Sequence, residues 1–237
     1  MVNLIIDGKK VEAEAGATIL QVAREYGIVI PTLCSHDSVE PSGACRLCVV
    51  EIKKGGRSRI VTSCLYQVED GLDVNTKSER VMNVRRLVLQ LLLARNPDVE
   101  VLKELAQEMG VTYQARFTPD TDKGKCILCR MCVRVCETVV GASAIGFSFR
   151  GSEKAVGVPF KEDSKACIGC GACAYVCPTG HILMETTQNT RKIWGRKFAM
   201  TACNTCGRYF APTDQLAFIS EKTGVPLSEL SICTSCR

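Results

Sequence analysis

The sequence predicts an α+β chain assembled from small cysteine-rich modules, and three observations predict it. Alternating apolar and polar residues surround a single helix signal in the first 77 residues, two C-x2-C-x2-C-x3-C runs occupy the middle, and two C-x2-C pairs follow them. Sixteen cysteines among 237 residues mean that covalent or metal links supplement apolar cores that modules of this size build only weakly.

In chain order, residues 3–7 (NLIID) and 10–14 (KVEAE) alternate around Asp7-Gly8-Lys9, a hairpin with Gly8 supplying the turn. Thr18 and Gln21 form a capping box for a helix with Ile19, Val22, Ala23 and Tyr26 on one face and Gly27 at its end. Strands are expected at about 47–53, 58–63 and 72–76, with the turn Gly55-Gly56 between the first two. Hairpin, helix, hairpin and a last strand suggest a β-grasp sheet crossed by one helix. Residues 78–95 carry Val81, Val84, Leu87, Val88, Leu91 and Leu92 at helical spacing, a buried packing helix. Asn96 as N-cap, Pro97 at the first helical position and Gly110 at the end describe a second helix. A connector, TPDTDKG, leads into the middle runs. Beyond them Thr213 is expected to cap a helix with Leu216, Phe218 and Ile219 as its apolar positions.

The spacing of the middle cysteines carries specific chemistry. In CILCRMCVRVC and CIGCGACAYVCP each run gives three thiolates to one [4Fe-4S] cluster and its fourth to the other. Cys126, Cys129, Cys132 and Cys177 are thus expected to hold one cluster, and Cys167, Cys170, Cys173 and Cys136 its neighbour. Two one-electron centres side by side make an electron conductor. In the first module Cys34, Cys45, Cys48 and Cys64 read C-x10-C-x2-C-x15-C, with small Gly43-Ala44 where backbone must wrap a metal group and point amides at sulfur. A small zinc site is the alternative there. Cys203, Cys206, Cys233 and Cys236 form two knuckles of the kind that hold tetrahedral zinc, a further iron-sulfur cluster being the rival.

Other function classes find little support. The formal charge of +5 counts the thiols as neutral; four four-thiolate sites at about −2 each would bring the loaded chain to roughly −3. Nucleic acid is therefore not implied, and no recognition-helix pattern accompanies the knuckles. MVNLIIDGKK has no basic leader before a long apolar run, and the longest apolar stretch, LVLQLLLA at 87–94, is too short to span a bilayer. A soluble, cytoplasmic chain is expected, in which C-x2-C spacing points to metal rather than disulfides. No G-x-G-x-x-G or G-x4-G-K-S/T appears, so flavin, NAD or ATP belongs on another chain. His36 and His181 are expected to be surface or hydrogen-bonding residues. Arg191, Lys192, Arg196 and Lys197, with Trp194 among them, could dock an acidic partner or form a solvated strand.

TLCSHDSVEPSGACRLCVVEI, CETVVGASAIGF and CIGCGACAYVCPTG resemble the N-terminal part of the large iron-sulfur subunit of respiratory complex I, the diaphorase small subunits of NAD(P)-linked hydrogenases, and the iron hydrogenases. The resemblance covers roughly residues 1–182. It implies a [2Fe-2S] cluster on Cys34, Cys45, Cys48 and Cys64 and two [4Fe-4S] clusters on the middle runs. The fold it implies is a β-grasp [2Fe-2S] domain (1–77), a helical connector (78–118) and a bacterial-type 2[4Fe-4S] ferredoxin domain (119–186); beyond them the two cysteine knuckles mark a zinc-ribbon-like or cluster-binding tail (187–237). In the family a motif of one histidine and three cysteines follows the connector helix and binds a further cluster. Here Asn96-Pro97 stands in that place and no cysteine lies between Cys64 and Cys126, so that cluster is expected to be missing and the electron path lengthened or rerouted.

The function implied is electron transfer within a soluble complex of hydrogenase, formate dehydrogenase or electron-bifurcating transhydrogenase type. Single electrons would pass between a flavin- and NAD(P)-binding partner, facing the [2Fe-2S] domain, and ferredoxin or a catalytic subunit. The alternative is a zinc-bound interaction or redox-sensing regulatory protein. No catalytic residue is named for this chain itself.

Overall fold

Two-residue turns set the register of the first sheet. In the computed structural model, which describes residues 1–112, 117, 124–158 and 165–237, Asp7 and Gly8 take φ of 50° and 81°. Positive φ at both positions matches the right-handed twist of the flanking strands. They join β1 (Val2–Ile6) to β2 (Lys9–Ala13), with Ile6 opposite Lys9. Gly55 and Gly56 repeat the device between β3 (Val49–Lys54) and β4 (Arg57–Thr62). β5 (Leu72–Asn75) enters between the hairpins, parallel to β1 and antiparallel to β3, giving the order β2-β1-β5-β3-β4. This is the expected β-grasp arrangement.

The helix α1 (Ile19–Glu25) crosses this sheet and buries Ile19, Leu20, Val22 and Ala23 against Leu4, Ile6, Val50, Ile52, Leu72 and Val74. Its capping box is complete: Thr18 Oγ1 accepts from Gln21 N, and Gln21 Oε1 accepts from Thr18 N at 2.8 Å. Gly27, at φ 69°, ends it, and Ile28 N donates back to Ala23 O at 2.7 Å, so the last carbonyls are not left orphaned.

Two helix expectations need correction. α2 (Glu79–Arg95), capped by Ser78, buries Val81, Arg85, Leu89 and Ala94, whereas Leu87 and Leu91 are 43% and 49% exposed. Almost every position from Leu87 to Ala94 is apolar, so periodicity selects no face there. Packing on β3 decides it, with the Arg85 guanidinium donating to Val49 O at 2.7 Å. α3 (Glu100–Glu108) begins after Val99, not Asn96, and has no side-chain cap. Asn96 instead closes α2, its N–H bonding Leu92 O, and its side chain is committed elsewhere. Gly110 does end α3, at φ 62°.

The chain divides into two units, Met1–Arg130 and Met131–Arg237. In the second, α4 (Met131–Arg134) runs into one π-helical turn, Val135–Val139. β6 (Gly146–Ser148) pairs with β7 (Ala155–Gly157), and α5 (Ala172–Tyr175) packs against α4. A four-stranded antiparallel sheet follows in the order β11-β10-β9-β8, from β8 (Met184–Thr186), β9 (Thr190–Ile193), β10 (Arg196–Ala202) and β11 (Tyr209–Pro212). α6 (Thr213–Thr223) and α7 (Leu227–Leu230) pack on it around Ala211, Leu216 and Leu230. Thr213 is not the cap of α6. Pro212 holds that position, and the Thr213 hydroxyl lies 3.0 Å from that of Thr201 and 3.3 Å from Ala199 O, tying the helix to β10.

Residues 118–123 of the connector and 159–164 of the spacer lie outside the described residues. Among the described residues no helix is long and apolar enough to cross a membrane. Replacing Thr18 with Ala removes one half of the capping box and is expected to cost about 1 kcal/mol. A lowered denaturant midpoint at unchanged slope would show it; an unchanged midpoint would show that the cap contributes nothing.

Candidate metal centres

Cys34, Cys45, Cys48 and Cys64 are all buried in the first unit. Cys48 immediately precedes β3 and Cys64 follows β4, so the hairpin holds two of the four, with Ser63 N bonded to Cys48 O at 3.0 Å. The loop before them turns through left-handed residues, Gly43 at φ 63° and Arg46 at φ 59°. A Cβ on Gly43 would meet the end of the Leu65 side chain at 2.6 Å and would sit at a positive φ that side chains rarely adopt, so a substitution there is strained and must push Leu65 aside. Amides face the sulfurs: Leu33 N donates to Cys45 Sγ and Cys45 N to Cys34 Sγ, each at 3.4 Å.

These thiols interact as two pairs. Cys45 is held down to about 5, chiefly by its bond with the Cys34 thiol, and Cys34 is pushed up by the same bond and by burial. Cys48, chiefly through Cys64, is held near 7, and Cys64 is raised. Each pair thus gives up one proton readily and keeps the other. A cation between them must displace the second, so loading releases protons. His36 accepts a hydrogen bond from Ser38 N at 3.2 Å.

The two middle runs share a backbone path. Leu128 and Arg130 have φ of 55° and 72°, and the matching positions of the second run, Gly169 and Gly171, have 70° and 84°. Left-handed residues turn successive amides inward, an arrangement suited to anionic sulfur. Leu128 N accordingly donates to Cys126 Sγ at 3.4 Å. Cys126 and Cys129 belong to the first unit, where two side chains reach their loop. Asn96 Nδ2 donates to Gly124 O at 2.7 Å and Cys126 O at 3.3 Å. Ser42 Oγ, from the loop of the first four cysteines, donates to Cys129 O at 3.4 Å.

In the second unit Cys136, Cys167, Cys170 and Cys173 line a single cavity whose walls include Ile145, Ile168, Ile193 and Trp194. The π-helical turn carries Cys136, and Ala144 N donates to its sulfur at 3.3 Å. Burial raises Cys136 and Cys167, and pushes Cys173 up to about 11 against the lowering effect of the Trp194 N–H. Burial also opposes ionisation of Cys177, but donors from Thr179, Ile182 and His181 outweigh it and leave that thiol lowered.

The basic stretch 191–197 is neither a solvated strand nor a free docking face. Arg191 donates to Gly169 O and Cys170 O at 3.1 and 3.0 Å, and Arg196 to Cys167 O at 2.9 Å. Trp194 Nε1 donates to Cys173 Sγ at 3.4 Å. Only Lys192 and Lys197 point to solvent. Strand alternation sent alternate cations to opposite faces, and the cysteine loop claimed one face.

The tail thiols are arranged differently. Cys203, Cys206, Cys233 and Cys236 bring their four sulfurs within 4.8 Å of one another, the one such group among the described residues. Cys206 and Cys233 sulfurs are 3.8 Å apart. Backbone donors, Cys233 N first, hold Cys203 down to about 6, and Arg208 beside Cys233 lowers that thiol too. Cys236, hydrogen-bonded to Cys206, is raised to about 12.

A 2Fe-2S iron-sulfur cluster binding domain matches residues 1–79, and 4Fe-4S dicluster domains match 125–181 and 159–209. The chain is 33% identical over 232 residues to the NADPH-Fe(3+) oxidoreductase subunit alpha of Geobacter sulfurreducens, covering 87% of this chain and 27% of that protein. It is 35% identical over 212 residues to the NADP-reducing hydrogenase subunit HndD of Solidesulfovibrio fructosivorans, covering 77% of this chain and 36% of that protein. It is 29% identical over 221 residues to the mitochondrial NADH-ubiquinone oxidoreductase 78 kDa subunit of Candida albicans, covering 83% of this chain and 30% of the relative. The chain therefore spans about a quarter to a third of the length of these curated relatives. Among solved structures, a chain of an NAD+-reducing [NiFe]-hydrogenase in the H2-reduced state superposes with a TM-score of 0.58 at 31% identity, over 67% of this chain and 75% of that one. Cysteine loops, sheet order and these matches agree: the chain belongs to the family of iron-sulfur subunits, related to those of NAD+-reducing hydrogenase and complex I, that join a 2Fe-2S domain to a 4Fe-4S dicluster domain.

Proposed function

We propose that the chain is the electron-transfer subunit of an NAD(P)-linked oxidoreductase complex, with one [2Fe-2S] cluster, two [4Fe-4S] clusters and one zinc ion. The observation that carries this reading is the cavity in which Cys136 of the first run joins Cys167, Cys170 and Cys173 of the second. That interleaving is the signature of paired cubanes. By the same rule Cys126, Cys129, Cys132 and Cys177 hold the other cubane, and Cys34, Cys45, Cys48 and Cys64 the [2Fe-2S] cluster. When bound, these clusters supply one-electron uptake and release. The chain's own residues bind them as thiolates, offer amides to sulfur and keep most of the cysteines out of water. Hydride chemistry is left to a flavin- and NAD(P)-binding partner, in an assembly of hydrogenase, formate dehydrogenase or transhydrogenase type.

The missing histidine-cysteine motif need not lengthen the path. The bond from Ser42 to the carbonyl of Cys129 joins the [2Fe-2S] loop to the first cubane run and supports direct transfer between them.

Zinc in the tail is supported by the sulfur separations. Four thiolates on one tetrahedral ion at about 2.3 Å stand about 3.8 Å apart, close to the Cys206–Cys233 distance of 3.8 Å. A cube of four irons binds each thiolate at a different corner and spreads them further.

Metal analysis of anaerobically purified protein is expected to find about ten irons and one zinc per chain, from the cluster types assigned. Several zincs with little iron would point instead to a regulatory metalloprotein. Cys203→Ser with Cys233→Ser should remove the zinc and leave the low-temperature electron paramagnetic resonance of the clusters intact; loss of a cubane signal would make the tail a cluster site. Gly169→Ala would put a Cβ 2.6 Å from the Phe198 ring at positive φ. It should cost about four irons and one cubane signal, and full iron content would show that the loop tolerates the change.

A further inference from the structure

Trp194 is the only tryptophan in the chain, and three observations tie it to the cavity of Cys136, Cys167, Cys170 and Cys173. Its indole N–H donates to Cys173 Sγ at 3.4 Å. Its side chain lines that cavity on one side and an open cleft with His181, Leu183, Glu185 and Lys192 on the other. It also occupies a two-residue turn with Gly195 at φ of 53° and 82°, between paired Ile193 and Arg196. A bulky residue at positive φ is sterically disfavoured and persists only where its surroundings hold it. Here Arg191 and Arg196 dock the hairpin on both sides, through the carbonyls of Gly169, Cys170 and Cys167.

We propose that Trp194 is a positioning residue that raises the reduction potential of the cluster on Cys136, Cys167, Cys170 and Cys173, making the two cubanes unequal. The proposal rests on the cluster assignment above. Reduction adds one negative charge to a cluster and its sulfurs. A hydrogen bond to a ligating sulfur stabilises that charge more in the reduced than in the oxidised state, which shifts the potential upward. The ring has the opposite tendency, because excluding water disfavours added charge. Removing the N–H while keeping a ring separates the two effects. The second cubane, on the same ligand set by spacing, has no indole available, because the sequence holds no other. Electrons would therefore settle preferentially on the centre beside Trp194 and its cleft, which gives the pair a direction.

The test uses the cluster-loaded full chain. Redox titration followed by electron paramagnetic resonance is run on wild type and on Trp194→Phe. One cubane is expected to lose about tenfold in its reduction equilibrium, about 59 mV for a one-electron couple, with the other two clusters and the iron content unchanged. Unchanged potentials, or equal shifts in both cubanes, would overturn the proposal. In wild type, with no substitution, emission from the single tryptophan should be strongly quenched in loaded protein and recover when iron is stripped. Full emission from a chain with its complete iron content would overturn the placement of the indole against a cluster. Absence of both cubane signals from wild type would defeat the cluster reading itself, whereas two normal cubanes unaffected by Trp194→Phe would defeat only the role of Trp194.

Discussion

Gathering thiols and taking their protons is the constraint on which most of this structure depends. Four sulfurs brought together repel as thiolates and cannot all ionise unaided, as the opposed shifts of Cys34 against Cys45 and Cys64 against Cys48 illustrate. In the loops of the 2Fe-2S and 4Fe-4S modules the chain answers chiefly with backbone donors, and in the tail Arg208 adds a side-chain charge beside Cys233. Left-handed residues at Gly43 and Arg46, at Leu128 and Arg130, and at Gly169 and Gly171 turn amide donors toward sulfur in each cysteine loop. Regular helix or strand cannot do this, since their amides are committed to ladders. The cysteine loops are therefore irregular, and the regular elements serve to hold their ends.

Different elements do the holding in the two units. In the first, a β-grasp sheet with a well-packed apolar core provides hairpin ends at Cys48 and Cys64. In the second, the helices around the cysteines are four-residue pieces, too short to be stable alone. What steadies the second run is the β9–β10 hairpin, whose two arginines and tryptophan grip carbonyls and a sulfur of that run. That hairpin belongs to a sheet carried through β10 and β11 to the four tail cysteines. The tail is thereby part of the support of a cluster loop, and a metal clamp in it has a mechanical reason that needs no electron to pass through it.

Much of the site was legible because metal chemistry writes itself into spacing. C-x2-C-x2-C-x3-C marks a 4Fe-4S dicluster module by spacing alone, and the turns at Asp7-Gly8 and Gly55-Gly56 and the capping box of Thr18 and Gln21 are local signals that tertiary context seldom overrides. The misreadings were of direction, apart from the cap of α6, which falls at Pro212 and not at Thr213. Leu87 and Leu91 looked buried because an apolar run has no preferred face. Asn96 looked like an N-cap because its side chain can bond any nearby backbone, and the backbone it bonds is 28 and 30 residues on. Arg191 and Arg196 looked like surface charge because a carbonyl acceptor across the fold leaves no mark in the neighbouring residues.

The amino-acid sequence by itself determined the spacing of the cysteine loops, the β-grasp order of the first module, and the joining of a 2Fe-2S module to a 4Fe-4S dicluster module. These depend on short-range geometry and on the stoichiometry of thiolate coordination. Only the tertiary structure decided that Ser42 reaches Cys129, that the four tail sulfurs converge to within 4.8 Å of one another, and that Trp194 points at Cys173. Each of those is a distance between residues far apart in the chain, set by how sheets and loops pack, and no pattern along the chain encodes a distance across it.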